Sequence, residues 1–214
     1  MQDSTTISPL IENDPTLVDR AIQFATEFHS GQTRKITNAP YIWHPLAVGQ
    51  RLTEFGCSPI TISAGILHDV VEDTPATHAE VESNFGPEVA RLVDYCSEPC
   101  GGQPWEERKN YLIERIRSAP VAARLIVAVD KNDNLKSVHH GLEALGTSMW
   151  ERFSRGPAQQ EWYYRSIAAA IRGLEFSEPS RGTDPLLGTE YRHSAFDELD
   201  ARIVRLFGVG PSSN

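Results

Sequence analysis

The sequence predicts an all-α protein, and three observations support this fold class. Apolar residues recur at spacings of three and four over many segments, which is the period of a helix with one buried face. No segment shows the convincing alternation of apolar and polar residues that is typical of a half-buried strand. Helix-start signals such as Asp14-Pro15 and Ser58-Pro59 precede several of the periodic segments. We therefore expect a bundle of helices.

The first half of the chain is predicted to form helices after a flexible lead-in. Residues 1–13 are polar and irregular, and residues 31–43 lack a helical period and are predicted to be a loop. Thr77 and Glu80 form a capping box at the start of a short helix, which Gly86 ends. The predicted helices cover residues 14–31, 45–55, 59–73, 77–86 and 87–96.

The second half of the chain contains one ambiguous apolar run, residues 122–129. It has the length of a strand, but it is rich in alanine and has no strand partner elsewhere, which favours a buried helix. Residues 177–192 are rich in turn formers and are predicted to be a surface loop. Ser194 and Asp197 predict the cap of a last helix, which Gly208 ends. The predicted helices cover residues 105–117, 122–129, 159–176 and 194–207.

These elements predict one domain over residues 14–176. The lead-in at residues 1–13 precedes it, and a helical C-terminal extension at residues 177–214 follows it. The sequence leaves two roles open for the extension: it packs on the domain, or it joins two copies of the chain in a homo-oligomer.

Composition and charge exclude several classes of function. The chain has 214 residues, 40% of them hydrophobic, which suffices for a packed core. Its formal net charge of −9 argues against non-specific nucleic-acid binding, which requires a basic face. No apolar run is long enough to cross a bilayer, and the first residues lack the features of a secretory signal. The 3 cysteines are not the even set of a disulfide framework. We therefore expect a cytoplasmic protein that contacts neither nucleic acid nor a membrane.

The sharpest candidate for chemistry is one short stretch, His68-Asp69-Val70-Val71-Glu72-Asp73. Residues four apart share one face of a helix, so His68 lies one turn from Glu72, and Asp69 lies one turn from Asp73. The four preceding residues are apolar, and charges beside a buried stripe need a partner or a metal ion. A His-Asp pair supplies an imidazole and a carboxylate, which suit Mn²⁺, Fe²⁺ or Zn²⁺.

Two ligands do not complete a metal site, and His44 and Asp130 are the strongest further candidates. His44 stands at the start of a predicted helix. Asp130 follows the buried apolar run, where a carboxylate without a partner is costly. With His68 and Asp69 they supply two nitrogens and two carboxylates. Such a set leaves positions open for water and substrate, as a hydrolytic metal site requires.

Four sequence blocks, in this order, resemble the HD-domain superfamily of metal-dependent phosphohydrolases, whose ligand order is H…HD…D. They are most similar to the (p)ppGpp hydrolase domain of RelA/SpoT proteins. Within that group, they are closest to the stand-alone small alarmone hydrolases, which include the metazoan SpoT homologue. The resemblance covers residues 14–176. The blocks are Gly31–Lys35, Pro40–Pro45, His68–Thr74 and Asp130–Leu135.

The resemblance implies an HD-domain helical bundle that removes pyrophosphate from the 3′ position of (p)ppGpp or (p)ppApp. Glu72 and Asp73 correspond to the pair that activates and orients the attacking water. The ligands implied for a single Mn²⁺ ion are His44, His68, Asp69 and Asp130. The implied nucleotide contacts are Arg34, Lys35, Asn134 and Tyr163.

Two stretches depart from the family pattern. Asp133 stands where the family has an aromatic residue, which adds negative charge near the site and leaves the choice between guanine and adenine open. Residues 96–104 differ from the lysine-bearing segment of the family, so a phosphate contact is either missing or supplied from elsewhere. The charge-rich segment 106–117 is interpreted as a solvated helix face.

Two other functions stay open on the sequence alone. One is an HD-type phosphohydrolase that acts on 5′-nucleoside monophosphates, and the other is a non-catalytic nucleotide-binding regulator. The pair Glu72 and Asp73 favours an enzyme over a regulator, because binding alone does not require a group that activates water. In each case the partner is a small-molecule nucleotide.

Overall fold

The computed structural model describes residues 16–99, 102–172 and 189–209, and these residues are mostly helical. A 3₁₀ helix, Gly146–Arg152, lies between the eighth and ninth helices. No strand occurs in the described residues, which confirms the all-α prediction. Helices α1 to α10 are Thr16–Phe28, Trp43–Glu54, Pro59–Leu67, Val70–Asp73, His78–Phe85, Pro87–Cys96, Trp105–Arg117, Val121–Leu145, Pro157–Arg172 and Thr189–Phe207.

Two of the predicted helix starts are confirmed by their capping bonds. The Ser58 side chain accepts a hydrogen bond from the Thr61 backbone N–H at 3.3 Å, with Pro59 in the first turn. Thr77 and Glu80 form the reciprocal capping box of α5. The predicted start at Asp14-Pro15 lies outside the described residues.

The predicted cap of the last helix is wrong, because Ser194 lies inside α10 rather than at its start. The helix begins at Thr189, within the stretch predicted as a surface loop. No glycine or proline stands between residues 189 and 207, so nothing in the backbone interrupts the helix there.

The segment predicted as one helix over residues 59–73 is divided in two. Helix α3 ends at Leu67, α4 is a separate single turn, and His68 and Asp69 lie between them. The His68 ring donates to the Gly65 carbonyl at 2.7 Å, and such a side-chain bond competes with the backbone ladder of a helix. The interruption lies at two of the predicted metal ligands.

The predicted helix over residues 122–129 is too short, because α8 continues to Leu145. Asp130 therefore lies in the middle of a helix and not at its end. Gly141 lies inside the helix and does not end it. Its lack of a side chain allows other side chains to approach the helix backbone closely. A Cβ atom there would lie 2.7 Å from side-chain atoms of both Ile36 and Met149.

Helix α8 runs through the core and contacts helices on several sides, including α2, α6 and α10. Its apolar half is buried, as are the facing residues of α3 and α6. Helix α10 belongs to the same core through Ala195, Phe196, Leu199 and Ile203. The Asn132 side chain donates to the Ala195 carbonyl at 3.0 Å, which ties α8 to α10. Among the described helices, none is both long and apolar enough to span a bilayer.

Candidate metal centre

The structure brings the four predicted metal ligands together around one point. His44 lies in α2, His68 and Asp69 lie between α3 and α4, and Asp130 lies in α8. Ligand atoms of His44, His68 and Asp130 lie within 4.8 Å of one another. All three of these residues are buried.

The distances between the donor atoms are those of groups around a common centre. His44 Nε2 lies 3.2 Å from Asp130 Oδ1 and 3.4 Å from Asp69 Oδ2. His68 Nε2 lies 3.1 Å from Asp69 Oδ2 and 3.7 Å from Asp130 Oδ1. Two ligands at about 2.1 Å from one ion lie about 3.0 Å apart at a right angle and about 3.4 Å apart in a tetrahedron. The observed spacings, 3.1 to 3.7 Å, lie around the tetrahedral value and just above the right-angle value.

Hydrogen bonds at the far side of each imidazole fix its orientation. His68 Nδ1 lies 2.7 Å from the Gly65 carbonyl, which accepts only, so this nitrogen carries the proton. His44 Nδ1 lies 2.7 Å from Asp133 Oδ2 and donates to that carboxylate in the same way. In each ring the lone pair of Nε2 is therefore available to a metal, as in other histidine ligands.

The two Nε2 atoms are buried and have no hydrogen-bond partner within the described parts of the chain. A buried polar atom without a partner is unfavourable unless something binds it. Two imidazole nitrogens and two carboxylates suit a divalent ion. The residues present therefore fit a metal ion. Such an ion would supply the partner that the two buried nitrogen atoms lack.

Without a metal, the four groups form a dense set of charges. Burial alone would lower the pKa of His44, but the surrounding carboxylates of Asp130, Asp133 and Asp69 outweigh it and raise this pKa to about 9. The pKa of His68 is also raised, since its aspartate neighbours outweigh burial. Burial opposes ionisation of Asp130, but Lys131 and the two imidazoles hold its pKa well below the usual range. Protons therefore occupy the imidazoles when a metal does not.

Asp130 is further surrounded by polar neighbours on its own helix. Lys131 Nζ lies 2.6 Å from Asp130 Oδ2, and the Asn134 amide donates to Asp130 Oδ1 at 2.5 Å. The sequence predicted Asn134 as a nucleotide contact, and the structure places it both on Asp130 and in the lining of the adjacent cleft. The sequence analysis did not single out Lys131, although it directly follows a predicted ligand.

Glu72 and Asp73 lie beside the ligand cluster, on α4. The Tyr41 hydroxyl lies 2.5 Å from Asp69 Oδ2 and 3.1 Å from Asp73 Oδ2, so one phenol connects the ligand to its neighbour. The pKa of Glu72 is raised to about 7, first by burial and then by the charges of Glu98 and Asp69. Tyr41 is not among the residues predicted for the site from the sequence. It precedes His44 by three residues, a spacing that places two side chains on the same side of a helical turn.

Arg34 and Lys35 line the same cleft from the loop between α1 and α2. Arg34 is paired with Asp133 at 3.1 Å and donates to the Ser137 hydroxyl at 2.6 Å. The Lys35 carbonyl accepts from Arg152 at 3.0 Å, which ties the loop to the 3₁₀ helix. Asp133, predicted as an added negative charge, therefore lies between a cation of the loop and the His44 ring.

The cleft beside the cluster has a volume of about 380 Å³ and a mixed polar and aromatic lining. Tyr163, a predicted nucleotide contact, lines it from α9, and its buried hydroxyl has no hydrogen-bond partner in the described residues. Trp105, Tyr164 and Phe153 add aromatic surface. The structure thus brings all of the predicted site residues to one cleft or to the metal-ligand cluster beside it.

The interpretation of residues 106–117 as a solvated face is wrong for two of its cations. Arg108 and Lys109 line the cleft, and Lys109 is largely buried. Arg108 stands four residues before buried Leu112, and Lys109 stands four before buried Ile113, so the helical period that buries those side chains also turns the cations inward. From that spacing, the inward position of the two cations could have been predicted.

Comparisons with known proteins agree with this architecture. The family model of the HD domain matches residues 21–144. A Xenopus tropicalis protein named guanosine-3′,5′-bis(diphosphate) 3′-pyrophosphohydrolase MESH1 is 30% identical over 191 residues, covering 88% of this chain and 98% of that protein. A solved structure, described as a metazoan ortholog of SpoT that hydrolyzes ppGpp, has a TM-score of 0.69 at 25% identity and covers 90% of this chain and 97% of its own.

Longer bacterial relatives match a smaller part. An Aquifex aeolicus protein, named guanosine-3′,5′-bis(diphosphate) 3′-pyrophosphohydrolase, is 48% identical over 77 residues, which cover 36% of this chain and 11% of that protein. The chain thus matches about a tenth of that relative and almost the whole of the Xenopus protein. The family model covers more than half of the chain. The chain therefore belongs to the HD-domain family.

Proposed function

We propose that this protein is a Mn²⁺-dependent 3′-pyrophosphohydrolase of (p)ppGpp or its adenine analogue (p)ppApp. One observation carries the proposal: two imidazoles and two carboxylates converge beside the acidic pair Glu72 and Asp73, at the edge of a cleft lined with cations. The name of the Xenopus relative, matched along nearly its whole length, supports the substrate class.

The ligands proposed for the ion are His44, His68, Asp69 and Asp130. Their mixture of nitrogen and oxygen donors suits Mn²⁺ as well as Fe²⁺ or Zn²⁺, and the resemblance to alarmone hydrolases favours Mn²⁺. When bound, a divalent ion would make a water more acidic and offset charge on a phosphoryl group. Gly65 and Asp133 hold the two imidazoles in the orientation that this binding requires.

Glu72 and Asp73 are proposed to take the proton of the attacking water and to orient that water. The pKa of Glu72, raised to about 7 by burial and by Glu98, lies in the range where a carboxylate exchanges protons near neutral pH. Tyr41 holds Asp73 in position relative to Asp69 through its bridging hydroxyl.

The proposed reaction adds water to the phosphorus attached to the 3′ oxygen of the ribose. The bond between that phosphorus and the 3′ oxygen breaks, and the 3′ oxygen takes a proton. The products are pyrophosphate and GDP or GTP, or their adenine equivalents. Arg34 and Lys35 are proposed to offset charge on the nucleotide, and Asn134 and Tyr163, which also line the cleft, are proposed to contact it.

The test is a product analysis with purified protein, ppGpp and Mn²⁺, with Asp69→Ala as the matched inactive variant. We expect pyrophosphate and GDP from the wild type and neither from the variant. Inorganic phosphate released from a 5′-nucleoside monophosphate would favour the other HD-type activity. Saturable ppGpp binding without turnover under any divalent metal would favour a regulator.

A further inference from the structure

Two cations on α7 line the cleft in addition to Arg34 and Lys35, which line it from the loop between α1 and α2. Arg108 and Lys109 line the cleft, with 30% and 15% of their side-chain surface exposed. Lys109 Nζ lies 4.7 Å from the centre of the Tyr163 ring and 5.8 Å from that of Trp105. An ammonium group is thus held over an aromatic surface in a partly closed space, where its charge is weakly screened.

The pair is held in place by Glu98, a carboxylate that is almost fully buried. Arg108 Nη1 donates to Glu98 Oε2 at 2.8 Å, and Lys109 is paired with the other oxygen of the same group. One buried carboxylate thus faces two cations, both of which line the cleft. A buried carboxylate requires such partners, so the pair also has a structural reason to exist.

This cluster adjoins the acidic residues proposed to activate water. The Glu98 backbone N–H donates to Glu72 Oε2 at 3.2 Å, and Arg108 Nη1 lies 3.9 Å from Glu72 Oε1. An anion that bound Arg108 and Lys109 would therefore lie close to Glu72. The loop cation Arg34 is held by other groups, Asp133 and Ser137, and the backbone carbonyl of Lys35 accepts from Arg152.

We propose that Arg108 and Lys109 form a subsite for a phosphate or diphosphate group, with Glu98 as the counter-ion that orients them. This inference rests on the proposed function and deepens it, because a nucleotide with two separate phosphate groups has a use for two cation pairs on different elements of one cleft. Guanidinium and ammonium groups are the side chains that proteins use to bind phosphate oxygens.

The test is a calorimetric titration of inorganic pyrophosphate into the whole chain prepared without metal. No divalent ion can then bind the pyrophosphate in place of the protein. The variants are Arg108→Gln and Lys109→Gln, with Lys109→Arg as the charge-conserving variant. Arg117→Gln is the matched control, because Arg117 lies on the same helix, is exposed and pairs with Glu114 outside the cleft. Thermal unfolding of each variant reports whether its fold is retained.

We expect saturable binding to the wild type and to Arg117→Gln with equal affinity. Each glutamine variant at the subsite should weaken binding about ten-fold or more, and Lys109→Arg should restore most of it. The proposal is overturned if the wild type shows no saturable binding. It is also overturned if the glutamine variants lower the unfolding temperature but bind pyrophosphate like the wild type, since the cations would then serve only Glu98.

This outcome is independent of turnover. If the protein binds pyrophosphate through Lys109 but releases none from ppGpp, the subsite is supported and the proposed activity is contradicted. If the protein hydrolyses ppGpp but Lys109→Gln binds pyrophosphate as the wild type does, the activity is supported and the subsite is contradicted.

Discussion

His44 Nδ1 and Asp133 Oδ2 lie 2.7 Å apart, so the ring of a candidate metal ligand is oriented by a carboxylate one helical turn beyond Asp130 on α8. The same oxygen of Asp133 lies 3.1 Å from Arg34. One side chain therefore contacts both the metal-ligand cluster and the cationic loop at the cleft. This link was not foreseen from the sequence, where Asp133 counted only as an extra negative charge.

Replacing Asp133 is expected to weaken metal binding without unfolding the protein. Asp133→Ala removes the acceptor that fixes the His44 ring and should lower affinity for Mn²⁺ about 10- to 100-fold. Asp133→Asn keeps an acceptor oxygen and should give an intermediate loss. Competition against a fluorescent chelator measures both.

Ser137→Ala is the control for that series, because it removes the other partner of Arg34 and leaves the His44 contact intact. Its metal affinity should equal that of the wild type. If Asp133→Ala and Ser137→Ala bind Mn²⁺ equally well, Asp133 has no role in orienting the ligand.

Metal binding is expected to release protons and to strengthen as pH rises. In the metal-free protein the pKa of His44 is about 9, so the ring is charged at neutral pH and must lose a proton before Nε2 can bind an ion. Titration calorimetry in buffers of different ionisation enthalpy counts the protons released at pH 7. A proton count of zero at that pH would contradict the raised pKa of His44 in the metal-free protein.

The same shift predicts how stability depends on pH. Because the folded-state pKa of His44 lies above its ordinary value of 6.5, the protonated ring stabilises the metal-free fold fully below pH 6.5. That contribution is lost as pH rises through about 9. Added Mn²⁺ should therefore raise the unfolding temperature more at pH 9 than at pH 6, which calorimetric scans at the two values would measure.

Tyr41→Phe is expected to reduce turnover while the metal stays bound. The change removes the hydroxyl that bridges Asp69 and Asp73, so the proposed water-orienting carboxylate loses its alignment to the ion. We expect kcat for ppGpp to fall about ten-fold or more, with metal content unchanged. Tyr111→Phe, which removes an exposed hydroxyl bonded to Arg115, should leave kcat unchanged. Equal kcat values for the two variants would contradict this role.

Gly141→Ala is expected to destabilise the fold, although alanine favours a helix more than glycine does. The added Cβ would lie 2.7 Å from both Ile36 and Met149, so these side chains must move. Overpacking of this kind costs about 1–3 kcal/mol, which exceeds the gain of about 1 kcal/mol in helix propensity. Urea unfolding measures the difference, and a stabilised variant would show that the contact relaxes freely.

Much of the fold could be predicted because the signals were local. The caps at Ser58 and Thr77 and the limits of α7 depend on neighbouring residues, which the sequence displays directly. The length of α8 could not be predicted in this way. Its polar stretch after Val129 has the composition of a loop, but the hydrogen-bond partners of those side chains lie on α10 and in the loop after α1.

The candidate ligands could be predicted because histidine and aspartate in buried surroundings have few other roles. Their supporting groups were harder to foresee. Tyr41, Asp133 and Lys109 act through partners 28, 89 and 11 residues away in the sequence, and only the packing of helices brings these together. The cytoplasmic location, the homo-oligomer and the domain limits stay predictions from the sequence.

Anomalous diffraction at the manganese edge, from crystals grown with Mn²⁺, tests the central claim most directly. The account predicts one strong peak within bonding distance of Nε2 of His44 and of His68, with carboxylate oxygens of Asp69 and Asp130 completing the protein ligands. A map without a peak at this position, or with the ion held by other residues, would contradict it.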